Sequence, residues 1–250
     1  MTLSELYALA QGLSRGQDRE FFTRIWSTPA TVYEHRLRAL KFTGLTQVLD
    51  LGSGMGQWLR ALAGLNESVT GLEYATERVV VSAEILTQMQ IGNARVVQGA
   101  AEAIPFADES FDAIFSYSVL LLTDYRKALA EAWRVLKPGG KFYFNTNGLG
   151  WYLYNLIDGH NSSANYSSRD MAVGAFANSL TYFTTGVTEP GGYVIMPQVL
   201  VLAELEALGF KILAVDGEGR INLTTDIEIT PFFPGEKYGH EAVYEVLCEK

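Results

Sequence analysis

Two rhythms of apolar and polar residues run along the chain. Up to about residue 41 the apolar positions recur at helical spacing. Leu6, Leu9, Ala10 and Leu13 share one face of a short helix that Ser4 is expected to cap, with Gly12 near its end. A second helix is expected over Asp18–Trp26 and is broken at Ser27-Thr28-Pro29, since proline lacks a donor and suits a first helical turn. A third runs to about Lys41, with Thr31 and Glu34 spaced as a capping box. After Gly44 the rhythm changes to short β-branched and apolar runs at Gln47–Leu51, Val69–Glu73, Arg95–Gln98, Phe111–Tyr117 and Lys141–Thr146. Helix-like stretches near Met55–Ala63, Glu77–Met89 and Asp124–Leu136 separate most of them, and Lys137-Pro138-Gly139-Gly140 reads as a turn. Strands alternating with helices predict an α/β fold with a parallel sheet and right-handed crossovers.

Residues Gly148–Pro197 interrupt that alternation. They carry Trp151, Tyr152, Tyr154, Tyr166, Phe176, Tyr182, Phe183 and Tyr193 but only four charged residues, Asp158, Arg169, Asp170 and Glu189. Two helices with Gly/Ser/Asn-rich joints are expected there. The α/β rhythm then resumes with a helix at Val199–Leu208, a strand at Lys211–Val215, a loop at Gly217–Gly239 and a last strand at Ala242–Cys248.

Composition narrows the function classes. The 250 residues are 48% hydrophobic and 19% charged, enough to bury one substantial core and too apolar for global disorder. The net charge of −9 and the lack of any Lys/Arg run argue against a nucleic-acid partner. A single cysteine, Cys248 in an apolar run, is expected to pack rather than react, and it points to a reducing compartment. The start of the chain lacks a basic, apolar leader and no apolar run would span a bilayer, so a cytoplasmic protein without a membrane partner is expected, as a monomer or homodimer.

The strongest chemical signal is Val48-Leu49-Asp50-Leu51-Gly52-Ser53-Gly54-Met55-Gly56, which ends a strand and opens a helix. Glycines there let the backbone turn tightly and approach a ligand, and the helix start adds oriented amide donors. A dinucleotide fingerprint would want a third glycine where Gln57 stands. With Asp50 ahead of Gly52, Gly54 and Gly56, the segment instead resembles the first motif of the class I S-adenosylmethionine-dependent methyltransferases. The resemblance extends to Gly71-Leu72-Glu73, to Gln98-Gly99-Ala100-Ala101-Glu102-Ala103-Ile104-Pro105-Phe106, to Phe111–Ser118 and to Arg134–Gly140, covering about residues 45–147.

That resemblance implies a Rossmann-like, seven-stranded, mostly parallel sheet with helices on both faces and a helical, aromatic-rich cap insertion. It divides the chain into N-terminal helices over the cofactor site (1–43), a methyltransferase core (44–147 and 198–250) and an acceptor-binding cap (148–197). S-adenosyl-L-methionine is the implied cofactor. Asp50, Gly52, Ser53, Gly54 and Gly56 would face its amino-acid tail, a carboxylate beside an ammonium being the sensible pairing. Glu73 would accept from the ribose diol and Tyr74 would stack on adenine, with ordinary packing as the other reading of Tyr74. Ala100 stands where many relatives carry an aspartate facing the adenine amino group, a loss of about 1 kcal/mol net, which leaves the backbone of Ala100 and Ala101 to read that edge. Ser116 and Tyr117 fall at the carboxyl end of their strand, where open sheets bind ligands. Glu102 and Asp112 are expected to be structural.

Methyl transfer from a sulfonium needs alignment more than a fixed catalytic signature, and a base only when the acceptor must lose a proton. His160, in the polar joint of the expected cap, is the first candidate base, ahead of His35 and His240. Arg169 and Arg220 could anchor an acidic group, and Tyr33 and Arg36 could close over the cofactor. No metal site is expected. The expected activity is methylation of a small, partly apolar acceptor. The alternatives are methylation of a protein, tRNA or carrier-bound substrate, a non-catalytic S-adenosylmethionine binder, and a dehydrogenase.

Overall fold

A computed structural model of the chain describes residues 3–13, 15–189 and 191–250. The N-terminal helices are α1 (Leu3–Ala10), α2 (Gly16–Ser27) and α3 (Ala30–Ala39). The apolar spacing of the first two is realised as a shared core, in which Leu6, Ala10, Leu13, Phe22, Ile25 and Trp26 are buried. The side chain of Ser4, the expected cap of α1, lies outside the described residues. The expected Thr31/Glu34 capping box does not form. Pro29 precedes the first turn of α3 with no side-chain cap, because its fixed φ starts the helix before Thr31 can act as the boundary residue.

Strands and helices then alternate: β1 (Gln47–Leu51), α4 (Gln57–Ala63), β2 (Ser68–Glu73), α5 (Thr76–Gln88), β3 (Ala94–Gln98), β4 (Phe111–Tyr117), α6 (Tyr125–Val135) and β5 (Leu136–Asn147). After the interrupting helices α7 (Leu149–Asp158) and α8 (Ser168–Thr185) come α9 (Gln198–Leu208), β6 (Lys211–Gly217), the short hairpin β7 (Glu236–Lys237) and β8 (His240–Glu241), and β9 (Val243–Glu249). Among the described residues seven strands form one sheet in the order β3-β2-β1-β4-β5-β9-β6. The first five in that order are parallel to one another, and β9 runs antiparallel between β5 and β6. This is the mostly parallel sheet expected from the alternation.

The expected turn at Lys137–Gly140 is a bulge inside β5. Phe111 and Ala113 of β4 face Leu136 and Lys141, so four residues loop out between adjacent register positions. Helices cover both faces. Leu37 of α3, Trp58 and Leu62 of α4 and Leu86 of α5 pack on one; Leu129 of α6 and Val201 and Leu205 of α9 pack on the other. Cys248 is buried in that second core and burial pushes its thiol pKa up, as suits a packed residue.

The 148–197 segment is rooted in the body of the protein. Trp151, Tyr152, Ala172, Ala175 and Ile195 form a satellite core with Ala242 and Val243. Its tail joins the main core through Val194 and Met196, whose amides donate to Leu121 O (2.7 Å) and Asn147 O (3.0 Å). No helix among the described residues is long and apolar enough to cross a membrane.

Candidate active site

The order of the parallel strands reverses between β1 and β4, and at such a switch point an open α/β sheet leaves a crevice outside the carboxyl ends of its strands. The glycine turn 52–56 occupies that place. The amides of Gly52 and Ser53 donate to Leu72 O (2.8 and 3.0 Å), which lashes the turn to β2. Gly52 (φ +75°) lies flat against Val119, and any side chain there would collide with the valine methyls. Gly54 (φ +57°) differs: a Cβ would meet only Gly52 O at 3.9 Å, so the turn presents bare backbone to open space. Ser82 of α5 donates to Gly54 O (3.0 Å), and Trp26 of α2 donates to Met55 O (3.3 Å).

Glu73 is the hinge of this assembly. Its two carboxylate oxygens accept from Gly54 N and Ala75 N, both at 2.9 Å, tying the turn to the β2–α5 connection while leaving further lone pairs on each oxygen. Asp50 is 1% exposed, and its Oδ2 is buried without a hydrogen-bond partner. Burial, and then the nearby Glu73 charge, push the Asp50 carboxyl well above the ordinary range. Gln57 Oε1, at the start of α4, is likewise buried without a partner. With Ser53 Oγ, also buried and unpartnered, these acceptors at one turn suit a ligand group rich in donors.

Beyond Glu73 a cleft of about 400 Å³ is lined by Tyr74, Ala75, Thr76, Gln98, Gly99 and Ala100. Tyr74 is 75% exposed, so it is not packed, and its ring is free to cover a flat ligand. Gln98, at the end of β3, donates to Thr76 Oγ1 (2.9 Å) and Tyr74 O (3.3 Å) and so fixes the cleft wall.

The structure brings Asp50, Gly52, Gly54, Gly56 and Glu73 together, with Tyr74 and Ala100 in the adjoining cleft. Other expected site residues point elsewhere. The Ser53 side chain lies against Gly71 of β2, where its Oγ is buried without a hydrogen-bond partner. Ala101 is buried in the main core, and the Ala100 carbonyl accepts from Ala103 N (3.2 Å). Ser116 Oγ donates to Leu51 O (3.0 Å), so it joins β4 to β1. Tyr117 is turned to the opposite face of β4, where its ring packs on Trp58 and its hydroxyl bonds Glu218.

Arg36 and Tyr33 are likewise committed to partners within the protein. Arg36 is buried in an ion pair with Glu218 beneath Phe232, and Tyr33 donates to Ile25 O (2.9 Å); both seal the α3 side of the sheet. His160 stacks on Tyr154 (centroids 4.3 Å apart) and meets Trp151 edge-on. Burial and then Lys237 lower its pKa. Those neighbours belong to α7 and the β7–β8 hairpin rather than to the glycine turn. His35 and His240 are exposed, Arg220 is exposed, and Arg169 caps α7 by donating to Leu156 O and Ile157 O (3.1 Å each). Glu102 and Asp112 are structural as expected, accepting from Asp124 N (3.0 Å) and from Gln47 N and Lys137 Nζ (2.7 Å each). Reading the sequence missed Gln57, Ser82 and Gln98; the signal was their position, at the first helical residue after the turn, one face of α5, and the last residue of β3.

Residues 49–144 match the family model described as a methyltransferase domain. The chain is 37% identical over 97 residues to an uncharacterized methyltransferase, YcgJ, of Bacillus subtilis, covering 38% of each chain. It is 35% identical over 100 residues to a demethylmenaquinone methyltransferase of Listeria monocytogenes, covering 38% of this chain and 42% of that one. Residues 49–144 form a methyltransferase domain. Among solved structures, geranyl diphosphate methyltransferase in complex with SAM shares the fold at 15% identity, with a TM-score of 0.61 over 88% of this chain and 84% of that one. The chain spans about two fifths of the length of these curated relatives. The matched domain holds the glycine turn, Glu73, the Tyr74 cleft and the end of β4. The N-terminal helices and the 148–197 segment lie outside it.

Proposed function

We propose that the chain binds S-adenosylmethionine and transfers its methyl group to a small, partly apolar acceptor. The observation that carries this reading is the pair of buried, unpartnered acceptors, Asp50 Oδ2 and Gln57 Oε1, beside a stretch of backbone left bare at Gly54. An ammonium has three donors and a positive charge to offer them. The spare lone pairs of Glu73 suit a ribose diol, and the exposed ring of Tyr74 opposite Ala100 suits a nucleobase. S-adenosylmethionine supplies a methyl group already activated by the sulfonium charge. The chain's own work is then to hold both partners in line and exclude water.

The acceptor is assigned to the side covered by α2 and the 148–197 segment. Its half-buried Tyr154, Tyr166 and Tyr193 offer apolar surface with few charges. Two of the similar proteins are named for small-molecule acceptors, demethylmenaquinone and geranyl diphosphate, which favours a small acceptor here over a macromolecule. A base enters only for an acceptor that must lose a proton. His160, whose pKa is lowered by burial and then by Lys237, would serve one that reaches Trp151.

Calorimetric titration with S-adenosylmethionine and with NAD, followed by detection of S-adenosylhomocysteine over a panel of phenols, amines, carboxylic acids and prenyl compounds, tests this. Binding of S-adenosylmethionine alone and turnover with at least one compound are expected. Preference for NAD refutes the reading, and tight binding with no turnover on any acceptor, proteins and tRNA included, favours a non-catalytic binder.

A further inference from the structure

Two local costs meet where the chain leaves β4. Ser118, the first residue past the strand, is left-handed (φ +59°), a conformation that a serine holds only when its surroundings impose it. Beside it stands Asn145 of β5, paired with Tyr117 in the sheet. Asn145 is fully buried, and its Nδ2 has no hydrogen-bond partner among the described residues. A buried carboxamide with unspent donors weakens the fold, where an apolar side chain of similar bulk would not. Costs of this kind gather where a chain must hold a functional geometry.

The contacts that follow show what the two residues hold. The Ser118 amide donates to Asn145 Oδ1 at 2.7 Å. With Ser118 fixed in this way, the next residue, Val119, rests its methyls on Gly52, at the spot that any Cβ of Gly52 would fill. From the other side the amides of Gly52 and Ser53 donate to Leu72 O (2.8 and 3.0 Å). The start of the glycine turn is therefore clamped between β2 and Val119. Ser116 Oγ secures β4 itself to Leu51 O (3.0 Å), and past Tyr117 the bond to Asn145 sets the direction of the chain.

We propose that Asn145 is a positioning residue for the donor site. Through the Ser118 amide and Val119 it holds the glycine turn in the shape that receives S-adenosylmethionine. The proposal rests on the methyl-transfer reading above. Asn145 itself follows the last residue of the matched domain.

The test starts from the ligand-free full chain. Asn145→Leu keeps the bulk of the side chain and removes the acceptor. Amide hydrogen exchange by NMR at Gly52 and Ser53 should speed up about tenfold or more. The Kd for S-adenosylmethionine, read by calorimetry, should rise about tenfold, the loss expected when a left-handed residue is released to its own preference. Adding Ser118→Gly should bring both values back to within about threefold of wild type, because glycine takes a positive φ freely. A merely structural Asn145 would not be rescued by a glycine at another position. Should Asn145→Leu fail to fold, Val119→Ala reads the clamp from its other end, with the same faster exchange expected. A folded Asn145→Leu with wild-type exchange and Kd overturns the proposal. So does a loss that Ser118→Gly leaves uncorrected, or unchanged exchange in Val119→Ala. If the wild-type chain does not bind S-adenosylmethionine, the methyl-transfer reading falls, while the exchange measurements still decide whether Asn145 holds the turn.

Discussion

Replacing Asp50 with asparagine is expected to move stability and cofactor affinity in opposite directions. In the ligand-free protein this carboxylate is 1% exposed, with one oxygen unpartnered and the Glu73 charge nearby. Such a group penalises the fold by about 1–3 kcal/mol. Asparagine keeps the shape and one oxygen but no charge, so the low end applies, about 1 kcal/mol gained, or a Tm higher by about 2–4 °C for a chain of this size. Binding should suffer instead. A charge-assisted hydrogen bond to an ammonium contributes about 1.5–3 kcal/mol, so the Kd for S-adenosylmethionine should rise about 10- to 150-fold. The pH dependence follows from the same shift. The folded pKa of Asp50 is raised, so its contribution to stability is complete below the ordinary carboxylate range and is lost as pH rises through the raised value. A bound cation pulls that pKa back down. Between the two values binding releases a proton, and affinity tightens by up to about tenfold per pH unit. Thermal unfolding, with calorimetry in two buffers of different ionisation enthalpy, reads all of this. A variant with a lower Tm, unchanged Kd and unchanged proton release would refute the reasoning.

Glu73→Ala removes the acceptor for Gly54 N and Ala75 N as well as the proposed acceptor for the ribose diol, so a fall in Tm and a cofactor affinity weaker by about 1–3 kcal/mol are expected together; an unchanged Kd in a folded variant would count against the site. Gly54→Val meets no protein atom closer than 3.9 Å at its Cβ but holds valine in the left-handed region, a strain of about 1–3 kcal/mol. It should therefore fold with reduced stability and lose cofactor binding, and normal affinity would show that the open space is not the cradle. Arg36→Met leaves Glu218 buried with no cation, a loss of about 3–5 kcal/mol by denaturant unfolding. A loss below about 1 kcal/mol would mean that the pair is a bystander.

The alternation of apolar runs located strands and helices to within a residue or two wherever both partners were local. It could not show that β9 inserts antiparallel between β5 and β6, because pairing of the last strand with β5 is decided by packing between distant segments. Nor could it show that Lys137–Gly140 bulges from a continuous strand. Turn residues read the same in a loop and in a bulge, and the difference lies in the partner register with β4. Arg36 illustrates the same limit. On its helix it reads as a residue that closes over the cofactor, yet its partner Glu218 is 182 residues away, and the pair is buried.

The donor side of the site was readable because its parts are consecutive. A strand that carries Asp50 next to its last residue, a turn that needs left-handed residues and an acid at the end of the next strand follow from backbone geometry alone. Side-chain direction was not readable: Ser116 and Tyr117 lie at the expected strand end, but alternation along β4 points one at Leu51 and the other at Glu218. Contacts between distant segments were not readable either. Asp18 and Arg78 stand 60 residues apart and each alone reads as an ordinary surface residue; their bond forms only where α2 meets α5.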